Sequence, residues 1–325
     1  MFRVNIAPEA TSQLTMSSFN RIAVYGHRGW GSSRIVKALI ASGAPVRVLT
    51  RPGSDASSLP DDVEKVEVDV NDEERLVSAL EDIDIVISLV GHEGIQDQQG
   101  FVKAIPKTNV QLFSPSKLAA RYDEQGMRIE VNKNKDDVEK AARAAGIPIT
   151  VVLIGNFAEF ALNTLCMGVD ISGNRLTNSA NSAETKVYLC TRDFVAAAYV
   201  SIFTKTPFAQ IQNRSIALTE LSPTGEDVAN ALKVRNGNAP QVSNHSLEKI
   251  NREIEDGLAS GSLFTLAWYC RKVWGTGQQA QMLGTDLWEV EDYKKATLKD
   301  LIVDGKLENY RELPPQVREY FDSCF

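Results

Sequence analysis

Arg21-Ile-Ala-Val-Tyr25-Gly26-His27-Arg28-Gly29-Trp30-Gly31-Ser32-Ser33 decides the fold of this 325-residue chain. The first five residues read as a short buried strand ending at Gly26. Glycines crowd the turn that follows. Ser33 to Ala41 then continue as a helix, with Ile35, Val36, Leu39 and Ile40 on one face and Ser42-Gly43 as its stop. Glycines let a backbone turn tightly and come close to a pyrophosphate, and the helix behind them points its free N–H groups at that anion. A glycine-rich turn alone is a weak signal. Placed between a strand and an amphipathic helix, it predicts a dinucleotide site built from Gly26, Arg28, Gly29, Trp30, Gly31 and Ser32.

Outward from this unit the chain alternates. Val46 to Leu49 and Val63 to Val70 read as strands, Asp72 to Leu80 as a helix, and Asp84 to Val90 as a fourth strand, apolar enough to be covered on both faces. Gly94 to Ile105 read as a helix and Val110 to Phe113 as a strand. Asn132 to Ala145 form a helix closed by Gly146 and Pro148, and Ile149 to Ile154 a sixth strand. Such alternation predicts an α/β fold, a doubly wound parallel sheet with right-handed crossovers. After Gly155 the rhythm changes. The expectation there is a helix over Asn156 to Met167, loop over Gly168 to Ala183, strands near 186–189 and 214–218 that return to the main sheet, and helices at Arg192 to Phe203 and Pro223 to Val234. The last eighty residues read as mostly helical, anchored by Trp268, Trp274 and Trp288. The division is a tail over 1–19, with Met16 as an alternative start, a cofactor domain over 20–155 and a smaller substrate-binding region over 156–325.

The second strand selects the cofactor. An acid at its end would hold the ribose 2′-hydroxyl of NAD, but the strand ends Leu49-Thr50-Arg51-Pro52. Arg51, with Arg28 as a second cation, suits the 2′-phosphate of NADP(H). Asp69 either touches the adenine edge or caps the next helix. Ser88, Leu89, Val90 and Gly91 close the fourth strand at the carboxyl edge, where such sheets bind ligands.

Composition narrows the rest. A net charge of −7 argues against nucleic acid as the main partner, and no apolar run is long enough to span a bilayer. Cys166, Cys190, Cys270 and Cys324 lack any CxxC or histidine spacing, so no metal site is expected and the thiols read as idle and reduced, which fits the cytoplasm. A homodimer stays open.

Taken together, Gly26-His-Arg-Gly29, Arg34 to Leu39, Val46 to Arg51, Asp84 to Ser88, Leu112 to Ser116, Lys135 leading into Ala145-Gly-Ile-Pro-Ile-Thr150, and Gly155-Asn-Phe157 make the chain resemble the NmrA-like and isoflavone-reductase-like family of atypical short-chain dehydrogenases. The resemblance covers roughly residues 20 to 235 and more faintly the remainder. It implies a Rossmann-like cofactor domain with a smaller, mostly helical substrate domain, and reduction of small aromatic compounds with NADPH. The family's catalytic lysine falls on Lys135. The short-chain dehydrogenase Tyr-x-x-x-Lys pair is missing, since Tyr122 is followed by Gly126. Three features depart from the family. Its third glycine is Ser32, its Pro-Ser-Glu-Phe-Gly stretch reads Pro115-Ser116-Lys117-Leu118-Ala119, and the segment from Ala120 to Val131 is unlike a familiar reductase.

The chemistry candidates each have a plainer alternative. Lys135 could handle the proton, or pair with Glu139 one turn on; Lys133 is the fallback on another face. Ser114 and Ser116 could orient cofactor or substrate, or shape the turn at Pro115. Asn156 and Phe157 could border the nicotinamide and an aromatic pocket, or be helix-start packing. His92 could donate a proton to substrate; His27, also at a strand end, is a structural histidine by default. The expectation is an NADPH-dependent oxidoreductase of a small, aromatic or unsaturated carbonyl-type molecule. The rival is an NAD(P)-binding redox sensor that passes cofactor state to a protein partner without turnover.

Overall fold

The computed structural model describes residues 19–325; the expectations for the N-terminal tail and for Met16 lie outside them. Strands β1 (Ile22–Tyr25), β2 (Val46–Thr50), β3 (Glu64–Glu67), β4 (Ile85–Ser88) and β5 (Leu112–Ser114) form a parallel sheet in the order β3-β2-β1-β4-β5. Phe113 bridges Ile149, which carries the sheet on to β6 (Val151–Leu153). This is the doubly wound order of a Rossmann-like fold.

Side-chain alternation on β1 shows why both faces must be covered. Ala23 and Tyr25 pack with Phe101, Phe113 and Val138; Ile22 and Val24 pack with Ile35, Val36, Leu39 and Phe194. The first face is clothed by helices α2 (Glu73–Ala79), α3 (Gln98–Ala104) and, after the short α4 (Glu124–Met127), α5 (Glu130–Ala144). The second is clothed by α1 (Trp30–Ala41) and a later helix over Arg192–Phe203. Each fully buried aliphatic side chain, such as Leu39, contributes about 2 kcal/mol through area removed from water.

Beyond β6 the sequence expectation needs correcting in several places. Asn156–Phe157 is a short strand, β7, and helix α6 covers Ala158–Asn163 only; Thr164 breaks it with its hydroxyl donating back to the Phe160 carbonyl. The stretch read as loop contains an antiparallel pair, β8 (Val169–Asp170) and β9 (Arg175–Ser179). Its second strand alternates buried and polar residues too briefly to stand out. Strand β10 (Leu189–Cys190) pairs with β7 and stays off the main sheet. Helix α7 spans Arg192–Phe203, and a one-turn helix α8 spans Phe208–Ile211. Strand β11 (Ser215–Ala217) returns to the main sheet beside β6. Helix α9 (Gly225–Asn236) starts on a Thr224–Asp227 capping box, and β12 (Gln241–His245) lies parallel to β9.

The last eighty residues are less helical than expected. Helices α10 (Leu247–Ser260), α11 (Thr265–Thr276), α12 (Gln279–Leu283) and α13 (Pro315–Asp322) are separated by a long stretch, residues 284–314, whose one helical piece is Lys299–Val303. Trp268 and Trp274 are buried anchors, whereas Trp288 is half-buried and donates to Ser201 Oγ. No helix among the described residues is long and apolar enough to cross a membrane.

Arg271 pins this region. It is 0% exposed, donates to the carbonyls of Cys166 (2.6 Å) and Leu165 (2.9 Å), and stacks on Trp268 and Phe321. Arg271→Ala strands both carbonyls in an apolar setting and opens a cavity. The expected cost is about 3 kcal/mol, read as a lower urea midpoint with unchanged slope.

Candidate functional site

The carboxyl ends of β1, β4, β5 and β6 converge on one edge of the sheet, and Gly26 sets how closely. It takes φ of +97°, and a Cβ there would lie 2.8 Å from the Leu89 carbonyl carbon and the Val90 nitrogen. Only glycine allows the two backbones to meet this way. Helix α1 begins earlier than the sequence predicts, at Trp30, with Gly29 as its N-cap and no side chain capping it. Helices α2, α4, α7, α9 and α10 are capped by a side-chain oxygen, whereas α3, α5, α6, α8, α11, α12 and α13 share the bare start of α1. The altered glycine spacing has a local cause. A Cβ on Gly31 would sit 3.3 Å from the Phe157 ring, so the early glycine makes room for that phenylalanine. Ser32 is buried and turns its hydroxyl onto the Gly29 carbonyl at 3.2 Å.

Two expected cations flank this cradle. Arg28 and Arg51 are exposed, and neither makes an ion pair among the described residues. His27 does not face the cleft. It is 5% exposed, with Nε2 3.2 Å from the Asp55 carbonyl, and so ties the glycine loop to the loop after β2. Asp69 caps nothing: its carboxylate accepts from the Asn71 backbone and side chain, and Asp72 caps α2.

Ser88 and Ser114 are wholly buried inside the sheet, and Leu89 nearly so, while Val90 and Gly91 emerge at its edge. Ser116 joins the two loops there, donating from Oγ to the Val90 carbonyl (2.7 Å) and from its backbone to Gln98 Oε1 (2.8 Å). His92 stands at the rim, open to solvent on one side. The crowded protein on its other side, then the cations Lys135 and Arg311, hold its pKa down to about 4, so the ring is neutral at pH 7.

Lys135 rises from α5 into this cluster. Its Nζ donates to the Lys117 carbonyl at 2.7 Å, and it does not pair with Glu139, which is held by Lys117 and Arg121. Burial, then the neighbouring Lys117 charge, lower the Lys135 pKa to about 8. Lys133 instead forms an exposed pair with Asp137. Half-buried Asn156 and Phe157 complete the edge, the Phe157 ring meeting the Trp30 ring edge-on at 5.1 Å.

Sequence reasoning missed the segment that closes the other side. Glu308 reaches Arg34 on α1 (2.5 Å) and Arg192 on α7 (3.7 Å). The Trp30 indole donates to the Asn309 carbonyl (3.1 Å), and Tyr310 lies 4.7 Å from the Trp30 ring and 5.5 Å from Phe160. Arg192 covers Trp30 at 4.8 Å. Beneath them Glu159 is 2% exposed; burial pushes its carboxyl up to about 7 while it accepts the Arg192 N–H at 2.9 Å. Glu308 to Tyr310 lie in an aperiodic stretch far in sequence from the helices they meet, so no local pattern marks them.

Comparison with known proteins agrees with this architecture. The model of the NmrA-like family matches residues 18–268. A phenylcoumaran benzylic ether reductase of Pyrus communis is 33% identical over 164 residues, 46% of this chain and 53% of that protein. An isoflavone reductase homolog of Zea mays is 34% identical over 160 residues, 45% and 52% of the two chains. These matches thus span about half the length of those relatives. An isoflavone reductase of Cicer arietinum aligns over 90% of this chain and 96% of its own, at 26% identity. Among solved structures, leucoanthocyanidin reductase of Vitis vinifera in binary complex with NADPH superposes with a TM-score of 0.68 at 17% identity, covering 94% of this chain and 99% of that one. A structure from the pinoresinol-lariciresinol and phenylcoumaran benzylic ether reductases gives 0.71 at 19% identity, covering 88% and 98%. On the breadth of the family match, with the sheet order and the glycine cradle, this chain belongs to the NmrA-like family.

Proposed function

We propose that the chain is an NADPH-dependent reductase of a small aromatic or unsaturated carbonyl-type molecule. The observation that carries this reading is a lysine ammonium without a carboxylate partner, standing at the same sheet edge as a glycine cradle and an uncapped helix start. Relatives named as isoflavone and phenylcoumaran benzylic ether reductases, and a fold neighbour that binds NADPH, point the same way.

The residues suit the cofactor. Gly26 and Gly29 would admit the pyrophosphate to the start of α1, and Arg28 and Arg51 would meet the 2′-phosphate. Phe157, with Trp30 beside it, would border the nicotinamide. NADPH supplies a hydride when bound; the protein handles orientation and one proton. Lys135 would donate that proton at Nζ or hold the ribose hydroxyls. Neutral His92 can give or accept one hydrogen bond at the rim without adding charge. The aromatic wall of Trp30, Phe157 and Tyr310 favours a flat substrate and excludes water. The sensing alternative is favoured by the altered Lys117–Ala119 stretch, and tight dinucleotide binding that never leads to NADPH oxidation would select it.

NADPH oxidation over a panel of enones, quinones and phenylpropanoid-like ketones should find a turned-over class, and Lys135→Ala should lose about a hundredfold in kcat with dinucleotide affinity largely kept. Full turnover in that variant removes Lys135 from the mechanism. With Lys135 as the acid, the rate should fall as pH rises through about 8, because the ammonium form is lost there. Calorimetry should give NADPH at least tenfold tighter binding than NADH, a preference that Arg51→Ala erases. Gly26→Ala should weaken dinucleotide binding and cost about 1–3 kcal/mol, since a side chain is forced to positive φ against Leu89.

A further inference from the structure

Lys135 and Glu139 are one turn apart on α5, the spacing at which a lysine and a glutamate ordinarily pair. Here the glutamate is claimed from the other side. Lys117, only 2% exposed, places Nζ 3.1 Å from one Glu139 oxygen, and Arg121 places Nη1 2.5 Å from the other. Arg121 is itself fixed by Ser215 Oγ on β11 at 2.8 Å, so the pair is anchored to the sheet. One carboxylate is flanked by two cations, and the third cation, Lys135, is left over. Its single hydrogen-bond acceptor among the described residues is the main-chain carbonyl of Lys117. Leu118 follows with φ of +42°, an uncommon conformation for a residue with a side chain, and this sets the plane of the Lys117–Leu118 peptide.

We propose that Lys117 is a positioning residue for Lys135: its buried ammonium keeps Glu139 engaged and its carbonyl holds the Lys135 ammonium, so that the latter stays beside His92 with no carboxylate partner. The proposal rests on the reading of Lys135 as the proton-handling group. It also explains why a lysine stands in the stretch Pro115-Ser116-Lys117-Leu118-Ala119, where the resembled family has a glutamate. A glutamate at that position would repel Glu139 and drive it onto Lys135.

The groups around Lys135 come from four parts of the chain. They are His92 from the turn after β4, with Arg311 beyond it; Lys117 and Arg121 from the loop after β5; and Glu139 on α5 itself, with Asp136 already paired to Lys140. Glu139 is the one acid poised to change partner.

The test is direct titration of Lys135 in the full chain, using ¹³C-dimethylated lysines followed by NMR and assigned with Lys135→Arg. In Lys117→Met, and in Lys117→Gln, which can hydrogen-bond Glu139, the carboxylate should turn to Lys135 and, together with loss of the Lys117 charge, raise its pKa by about one, a tenfold fall in its neutral fraction at fixed pH; a rise that persists when Glu139→Gln is added reports lost repulsion alone and overturns the proposal. Lys117→Met combined with Glu139→Gln should show no such rise, and Lys117→Arg should titrate like the native chain. An unchanged Lys135 titration in both single variants, with only thermal stability lowered, overturns the proposal and leaves Lys117 a purely structural ion. This readout needs no substrate. If Lys135→Ala keeps full NADPH turnover, the catalytic reading falls while the titration result still stands.

Discussion

The backbone of Gly26 lies against the backbone of Leu89 and Val90, and the geometry of the whole cleft follows from that approach. Hydrogen bonds of a parallel sheet hold β1 and β4 in register up to Tyr25 and Ser88. Past that point the chains must part, and a glycine at positive φ lets the first turn away without pushing the second aside. Helix α1 therefore starts directly over the sheet edge. The loops carrying His92 and Ser116 fall beside it, tied by the hydroxyl of Ser116 on the Val90 carbonyl. A larger residue at position 26 would separate these loops before any side-chain chemistry could be arranged.

Around this backbone contact the charges are organised by exclusion. Glu139 is occupied by Lys117 and Arg121, and Glu308 is occupied by Arg34 and Arg192. Glu139 and Glu308 are thus both engaged, and Arg28, Arg51 and Lys135 make no ion pair with a carboxylate among the described residues. Neither kind of ion pair adds much net stability: desolvation offsets the attraction at buried Glu139, and solvent screens it at exposed Glu308. Their value here lies in where they leave the remaining charges.

The alternating half of the fold is legible in the sequence because a parallel strand buried on both faces is apolar along its length, as in Ile85 to Ile87, and because α1 and α5 stop at Gly43 and Gly146. The glycine cradle follows from the same local order, whereas Lys135 stands out only through the family resemblance, its helical spacing alone pointing to a pair with Glu139. Strands β8 and β9 are not legible, since one has two residues and the other mixes Arg175, Thr177 and Asn178 into a partly buried face. The pairing of Glu139 with Lys117 joins residues whose proximity depends on tertiary packing, and the helical spacing to Lys135 points to the wrong partner. The inward turn of His27 and the role of Tyr310 likewise depend on which loop happens to lie opposite.

The contact between Trp30 and Asn309 spans 279 residues of sequence. Loop closure over such a distance costs only a little more entropy than over half of it, but the encounter comes late, because almost the whole described chain must exist first. During synthesis the sheet and α1 can assemble while the indole of Trp30 is still bare. The wall formed by Glu308 to Tyr310 is then added as the closing step, so a ribosome-bound chain would hold the glycine turn against Leu89 well before the Trp30, Phe160 and Tyr310 rings meet.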